Sequence, residues 1–180
     1  MKWMIASDIH GSSFYCKKLL ERLEEEHPDR LLLLGDTLYH GPRNDLPLDY
    51  DTKAVTAMLN ARKDMILSVR GNCDADIDQV VLEFPILADY CIICENGQTV
   101  FATHGHLFNE EHLPPLHKGD ILLHGHTHRP VCTEHDTYTY INPGSVAIPK
   151  DGSECSYMIW NEGIFTWKTI EGKEYLTFRP

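Results

Sequence analysis

Ile121-Leu122-Leu123-His124-Gly125-His126-Thr127-His128 is an apolar run that opens, across a single glycine, into closely spaced imidazoles. The run predicts a buried strand over residues 120–123 that ends at a polar site. Buried imidazoles need partners, and crowded ones repel when protonated. A metal ion meets both demands, because coordination keeps each ring neutral. His126 and His128, two residues apart, point to one side of an extended segment. His124 precedes the turn and is read as a structural residue facing away from that side.

Four more predicted strands end in the same way. Residues 2–6 lead into Asp8-Ile9-His10-Gly11, and residues 30–34 into Gly35-Asp36. Residues 65–69 lead into Gly71-Asn72-Cys73-Asp74, and the strand that begins at Gln98 leads into His104-Gly105-His106. Amphipathic helices separate the first three strands: one from Ser12/Ser13 to a stop at His27-Pro28, one over residues 52–61. Alternation of strand and helix predicts parallel pairing, and ligands gather beyond the carboxyl ends of such strands. The second half reads as shorter strands with turns. A hairpin is expected around Glu95-Asn96-Gly97, then strands over residues 98–103, 120–123, 138–142, 157–160 and 163–170. A short helix is expected over residues 109–116. The whole predicts an α/β sandwich, sheets inside and helices outside, formed as one domain over residues 1–180.

Asp8, His10, Asp36, Asn72, His104, His126 and His128 offer carboxylate, amide oxygen and imidazole, donors that suit Mn, Zn, Fe and similar divalent ions. Seven donors are too many for one tetrahedral ion and right for two ions sharing a carboxylate.

Composition narrows the classes. Lys and Arg number 16 against 27 Asp and Glu, a net charge of −11 with His neutral. That argues against general nucleic-acid binding, though not against a small anion drawn to a local metal. No apolar run spans a bilayer and no signal core opens the chain, so no membrane partner and a cytoplasmic location are expected. Cys91-Ile92-Ile93-Cys94 has no second pair to complete a zinc ribbon and reads as strand. Glu24-Glu25-Glu26 reads as a solvated helix face. Trp160, Phe165, Trp167, Tyr175 and Phe178 fit either packing within a sheet or an interface of a homo-oligomer, dimer or tetramer.

The ordered series Asp8-x-His10, Gly35-Asp36, Gly71-Asn72-x-Asp74, His104-Gly105-His106 and Gly125-His126-x-His128 resembles the calcineurin-like metallophosphoesterase superfamily. The Asn72-Cys73-Asp74 variant, the loop His40-Gly41-Pro42-Arg43-Asn44 and the segment Asn142-Pro143-Gly144-Ser145 resemble its YfcE-type bacterial phosphodiesterases. The resemblance implies a four-layer α/β/β/α sandwich, two mixed sheets flanked by helices. It implies that Asp8, His10 and His128 hold one metal ion, that Asn72, His104 and His126 hold a second, and that Asp36 bridges them. Manganese is the ion implied, while Zn, Fe, Ni and Co suit the same donors. The reaction implied is attack of a metal-bridging hydroxide on a small or nucleotide-like phosphodiester. His106 is then a donor to a phosphate oxygen, Asp74 orients its neighbours, and Arg43 and Asn44 clamp substrate. Cys73 stands where many members of the superfamily carry His. A neutral thiol is a weak proton donor, so good leaving groups are expected to be hydrolysed best. Two other functions suit the same fold, a non-catalytic scaffold and a phosphomonoesterase. The complete ligand set argues against the first, and Cys73 with the short chain against the second.

Overall fold

The first half alternates strand and helix because its apolar pattern changes period. β1 (Trp3–Ala6) is buried at every position, as a strand covered on both faces must be. α1 (Ser13–Glu26) instead buries Cys16, Leu19 and Leu23, the three-to-four spacing of one helix face. Ser12 caps it by accepting the Tyr15 N–H, and His27 closes it in the left-handed conformation. The computed structural model describes residues 1–95 and 97–180. It continues through β2 (Arg30–Leu33), α2 (Thr52–Asn60) capped by Asp51, β3 (Ile66–Ser68) and the single turn α3 (Asp78–Val81). The second half is built of β4 (Tyr90–Glu95), β5 (Gln98–Thr103), β6 (Asp120–His124), β7 (Pro130–Glu134), β8 (Tyr138–Pro143), β9 (Ser156–Asn161), β10 (Ile164–Thr169) and β11 (Glu174–Phe178).

These strands form two mixed sheets flanked by helices. The first has the order β11-β10-β9-β1-β2-β3, with β1, β2 and β3 parallel. The second has the order β4-β5-β6-β8-β7, with β5, β6 and β8 parallel. Alternation then sorts each strand between layers. Met4, Ala6, Leu31 and Leu33 pack with α1 and α2, while Trp3, Ile5, Leu32 and Leu34 turn inward. There they meet Val100, Ala102, Ile121, Leu123 and Ile141 of the second sheet, together with Trp160, Phe165 and Trp167. Those C-terminal aromatics are therefore sheet packing, while Tyr175 on the edge strand β11 stays exposed.

Several details depart from the sequence reading. Residues 109–116 form no helix. The Asn109 side chain accepts the N–H groups of Glu111 and His112, a local turn that competes with helix, and Pro114-Pro115 follows. Phe108 and Leu116 of this irregular stretch cover Phe101, Leu122 and Tyr140 on the outer face of the second sheet. β7 and β11 were not anticipated; both are edge strands, and β7 begins at a proline. β4 and β5 pair antiparallel with Glu95 opposite Gln98, so the hairpin forms; Asn96, named in that expectation, lies outside the described residues. Glu26 is not part of a solvated face: Lys2 and Lys168 bind it at 2.9 and 2.6 Å. No helix among the described residues is long and apolar enough to cross a membrane.

Candidate metal centre

Where the chain leaves β1, β2 and β6, the backbone turns through the left-handed region. Asp8, His10, Asp36, His126 and His128 have φ of 60°, 50°, 53°, 65° and 61°. Among the described residues only four other non-glycine positions do so, which concentrates backbone strain at the strand ends. Gly71 and Gly125 make room for the carboxylates. A Cβ on Gly71 would lie 2.1 Å from Asp36 Oδ1, and one on Gly125 would lie 2.8 Å from Asp8 Oδ2.

The side chains converge from both sheets. His128 Nε2 and His10 Nε2 lie 3.3 and 3.5 Å from Asp8 Oδ1 and 3.3 Å from each other. Asp36 Oδ2 lies 3.7 Å from His10 Nε2 and 3.5 Å from His104 Nε2, so it stands between two groups. His104 Nε2 is in turn 3.0 Å from Asn72 Oδ1 and 3.2 Å from His126 Nδ1. Three rings are held from behind by carbonyls: His10 Nδ1 by Tyr39 at 2.7 Å, His104 Nδ1 by Leu34 at 2.7 Å, His128 Nδ1 by Ile148 at 2.5 Å. An Nδ1–H donated to each carbonyl turns Nε2 inward, where the neutral ring offers its lone pair.

Such a centre fits a cation. Asp8/His10/His128, Asp8/Asp36/His104 and His10/Asp36/Cys73 each bring three donor atoms within 4.8 Å of one another. Asp8 Oδ1 is buried and has no hydrogen-bond partner. A buried carboxylate oxygen without a donor is incomplete without positive charge. The ionisation of the cluster says the same. Burial pushes Asp8 up, yet His10 and His128 outweigh it and hold the carboxyl well below the usual range. Burial pushes His104 down, yet Asp36 and Asp8 raise it to about 9. Two buried carboxylates thus draw a cation into the cluster, and a divalent ion answers that demand better than one proton. Burial and then the His104 charge push His126 down to about 4.

Around the seven donors, Asp74 accepts backbone N–H groups from Asp36, Thr37 and Gly71 at 2.9, 2.9 and 2.7 Å. It therefore ties the second and third strand ends together. Cys73 N–H donates to Asp36 Oδ1 at 2.8 Å, and burial, with the Asp36 charge, pushes its thiol up. A cavity of about 400 Å³ lies over the cluster, lined by Asp36, Asn72, Cys73, His126, His128, Arg43 and Asn44. His106 is not in that lining; its ring lies 5.4 Å from that of His104, and burial lowers its pKa. His124 faces away, stacked on Tyr140 at 4.4 Å and pushed down to about 4 by burial. Asn142 and Ser145 form a support beneath the centre: Asn142 Nδ2 donates to Gly125 O at 2.8 Å, and Ser145 Oγ to Asp8 O at 2.9 Å.

The sequence reading missed Thr127, Arg129 and Lys150, which complete the cavity wall. Arg129 follows a ligand motif directly and was legible there. Lys150 carries no local signal and comes from the connection after β8, where Ile148 O holds His128.

Comparison with known proteins bears on the family and the fold. The family model for the calcineurin-like phosphoesterase superfamily domain matches residues 1–162. Phosphodiesterase YfcE of Escherichia coli K12 is 46% identical over 157 residues, 87% of this chain and 85% of that protein. The solved structure of YfcE, a phosphoesterase from E. coli, superposes with a TM-score of 0.96 at 40% identity, covering 99% of this chain and 98% of the other. A solved archaeal phosphodiesterase shares the fold, with a TM-score of 0.59 at 20% identity over 99% of each chain.

Proposed function

Because this chain belongs to the calcineurin-like phosphoesterase superfamily, we propose that it is a phosphodiesterase that works with two divalent metal ions, manganese first among them. The observation that carries the reading is the convergence of six donors around Asp36, with a buried Asp8 oxygen left without a hydrogen-bond partner. Asp8, His10 and His128 hold one ion, Asn72, His104 and His126 the other, and Asp36 is shared. The ions, when bound, supply Lewis acidity that acidifies water towards neutral pH and offsets charge on the phosphoryl oxygens.

The chain's own residues do the rest. Tyr39, Leu34 and Ile148 carbonyls fix three imidazoles so that each presents Nε2, which removes reorganisation from the reaction. Arg43, Arg129 and Lys150 gather positive charge at the cavity of a chain whose net charge is −11, and so favour an anionic ester there. Asn44 donates to His40 O at 2.8 Å and holds the Arg43 loop in shape. Cys73, a protonated thiol, supplies no strong acid, so the leaving group departs on its own acidity. That favours a diester with a good leaving group over a monoester.

The test is hydrolysis of bis-p-nitrophenyl phosphate and p-nitrophenyl phosphate by protein stripped with chelator and reloaded with manganese. The expected result is diester hydrolysis that returns only with metal and exceeds monoester hydrolysis. Faster monoester hydrolysis makes the protein a phosphomonoesterase. No hydrolysis by folded, metal-loaded protein leaves a non-catalytic binding module.

A further inference from the structure

We propose that one ester group of the substrate is a neutral apolar ring, and that it is seated in a second cavity which meets the metal centre at Cys73. The inference rests on the phosphodiesterase reading. This cavity is about 680 Å³, within the range of small-ligand pockets, and its walls include Leu38, Tyr39, Tyr50, Ala57, Ile77 and Val81. Cys73 lines both this cavity and the one that contains Asp36, Asn72 and His126, so the two spaces share one side chain. The loop between β2 and α2 divides between them: Leu38, Tyr39 and Tyr50 serve one, residues 41–44 the other.

That loop is anchored to the reactive centre. The Tyr39 carbonyl lies 2.7 Å from His10 Nδ1, and the His40 ring packs edge-on against Tyr39 and Tyr50 at 4.7 and 5.2 Å. The wall of the groove therefore keeps its place whenever the metal ligand keeps its own. The chemistry of the two spaces is complementary. The metal-centre cavity carries Arg43, Arg129 and Lys150, a match for a phosphoryl anion. The groove carries only Lys53 and Asp78 as charges, which offset each other, amid aromatic, aliphatic and hydroxyl groups. Ile77 is 68% exposed, Val81 47% and Tyr39 42%, apolar surface at the rim that a seated ring covers.

Phenylphosphonate and methylphosphonate test this by calorimetry on the manganese-loaded protein. Their P–C bonds resist hydrolysis, so binding is read without turnover. Phenylphosphonate is expected to bind at least about tenfold tighter, from burial of one ring. Ala57→Phe, at an exposed position of α2, fills the groove and should cut phenylphosphonate affinity about tenfold while leaving methylphosphonate within about twofold. Ile77→Asp should act the same way by adding charge. Equal affinity for both anions in the unmodified protein, or a preference that survives both substitutions, overturns the inference and leaves the phosphodiesterase reading in place. Binding of neither anion removes the phosphate site itself, and the inference with it. If Ala57→Phe dissociates a homo-oligomer and changes neither affinity, a second copy of the chain covers the groove and the inference falls.

Discussion

Two clusters of charge, one half-buried and one buried, follow opposite rules in this molecule. At the last residue of α1, Glu26 binds Lys2 at 2.9 Å and Lys168 at 2.6 Å, with the Tyr157 hydroxyl 3.3 Å away. Each charge there meets an opposite one. At the strand ends Asp8 and Asp36 are packed among imidazoles, one carboxylate oxygen has no hydrogen-bond partner, and five of the seven candidate donors sit in left-handed backbone. The Glu26 cluster is satisfied by the chain itself and contributes stability. The strand-end cluster sets two carboxylates in strained backbone, a combination that a divalent cation suits. Partial or full withdrawal of charge from water is thus common to both, and what separates them is whether the chain itself supplies the opposite charge.

The sharpest way to break that comparison is to remove one carboxylate from each cluster. Asp36→Ala should lower metal-dependent diester hydrolysis by on the order of 10³-fold or more, since it removes the group shared between both ion sites. Its metal-free melting temperature should fall by no more than about 3 °C, because a like-charge partner of Asp8 is lost along with the acceptor of Cys73 N–H. Glu26→Ala should do the reverse. It leaves Lys2 and Lys168 without their anion, costs about 1–2 kcal/mol, and lowers the melting temperature by about 2–8 °C. Its turnover should stay within about twofold of the unmodified protein. Thermal melts and initial rates on the same preparations decide the matter; a Glu26→Ala protein as inactive as Asp36→Ala would erase the distinction.

Chelation sharpens it. An ion bound at a hundred times its dissociation constant stabilises by about 2.7 kcal/mol, so chelator should lower the melting temperature by roughly 5–10 °C. The same drop is expected in Glu26→Ala, because distant independent sites add. In Asp36→Ala the drop should nearly vanish. A full drop in that variant would mean that metal binds elsewhere.

A smaller effect belongs to Arg129, which lies on the cavity rim and is already paired with Asp151. Arg129→Ala should raise KM for the diester about threefold to tenfold and change kcat by less than about threefold, because a rim charge gathers substrate without touching the reacting atoms. A fall in kcat with KM unchanged would place Arg129 in the chemistry instead.

The same contrast explains what was legible in the sequence. The strand-end donors lie directly after apolar runs, and parallel strands bring such positions together whatever the loops do. The Glu26 cluster gave no such signal. Its partners stand 24 and 142 residues away, and Glu26 itself sits in a run of glutamates that looks solvated. A helix was expected over residues 109–116, but the Asn109 side chain took the N–H groups a helix needed. β11 has four exposed positions of five, so no buried alternation marked it. Lys150 reached the cavity through a tertiary path, whereas Arg129 was one residue from a ligand. Local pattern therefore reveals what the backbone topology must juxtapose, and hides what long-range side chains arrange.

Acid offers the finest test of the comparison. Burial pushes the Glu26 carboxyl up, but Lys168 and Lys2 pull harder and hold it below its ordinary value of 4.5. In the unfolded chain the group keeps that ordinary value, so on acidification the unfolded state takes up the proton first. The Glu26 contribution is therefore complete above about pH 4.5 and is lost as pH falls from there through the depressed folded value. Glu26→Gln cannot titrate and keeps some hydrogen bonding, so its melting temperature should lie below that of the unmodified protein at neutral pH. The gap should close as the pH drops below the carboxylate range. Taking the difference between the two proteins cancels the titration of the strand-end carboxylates, which both share. A gap that stays constant into acid would show that Glu26 stabilises by packing its stem, and would remove the ion cluster from the structural side of the comparison.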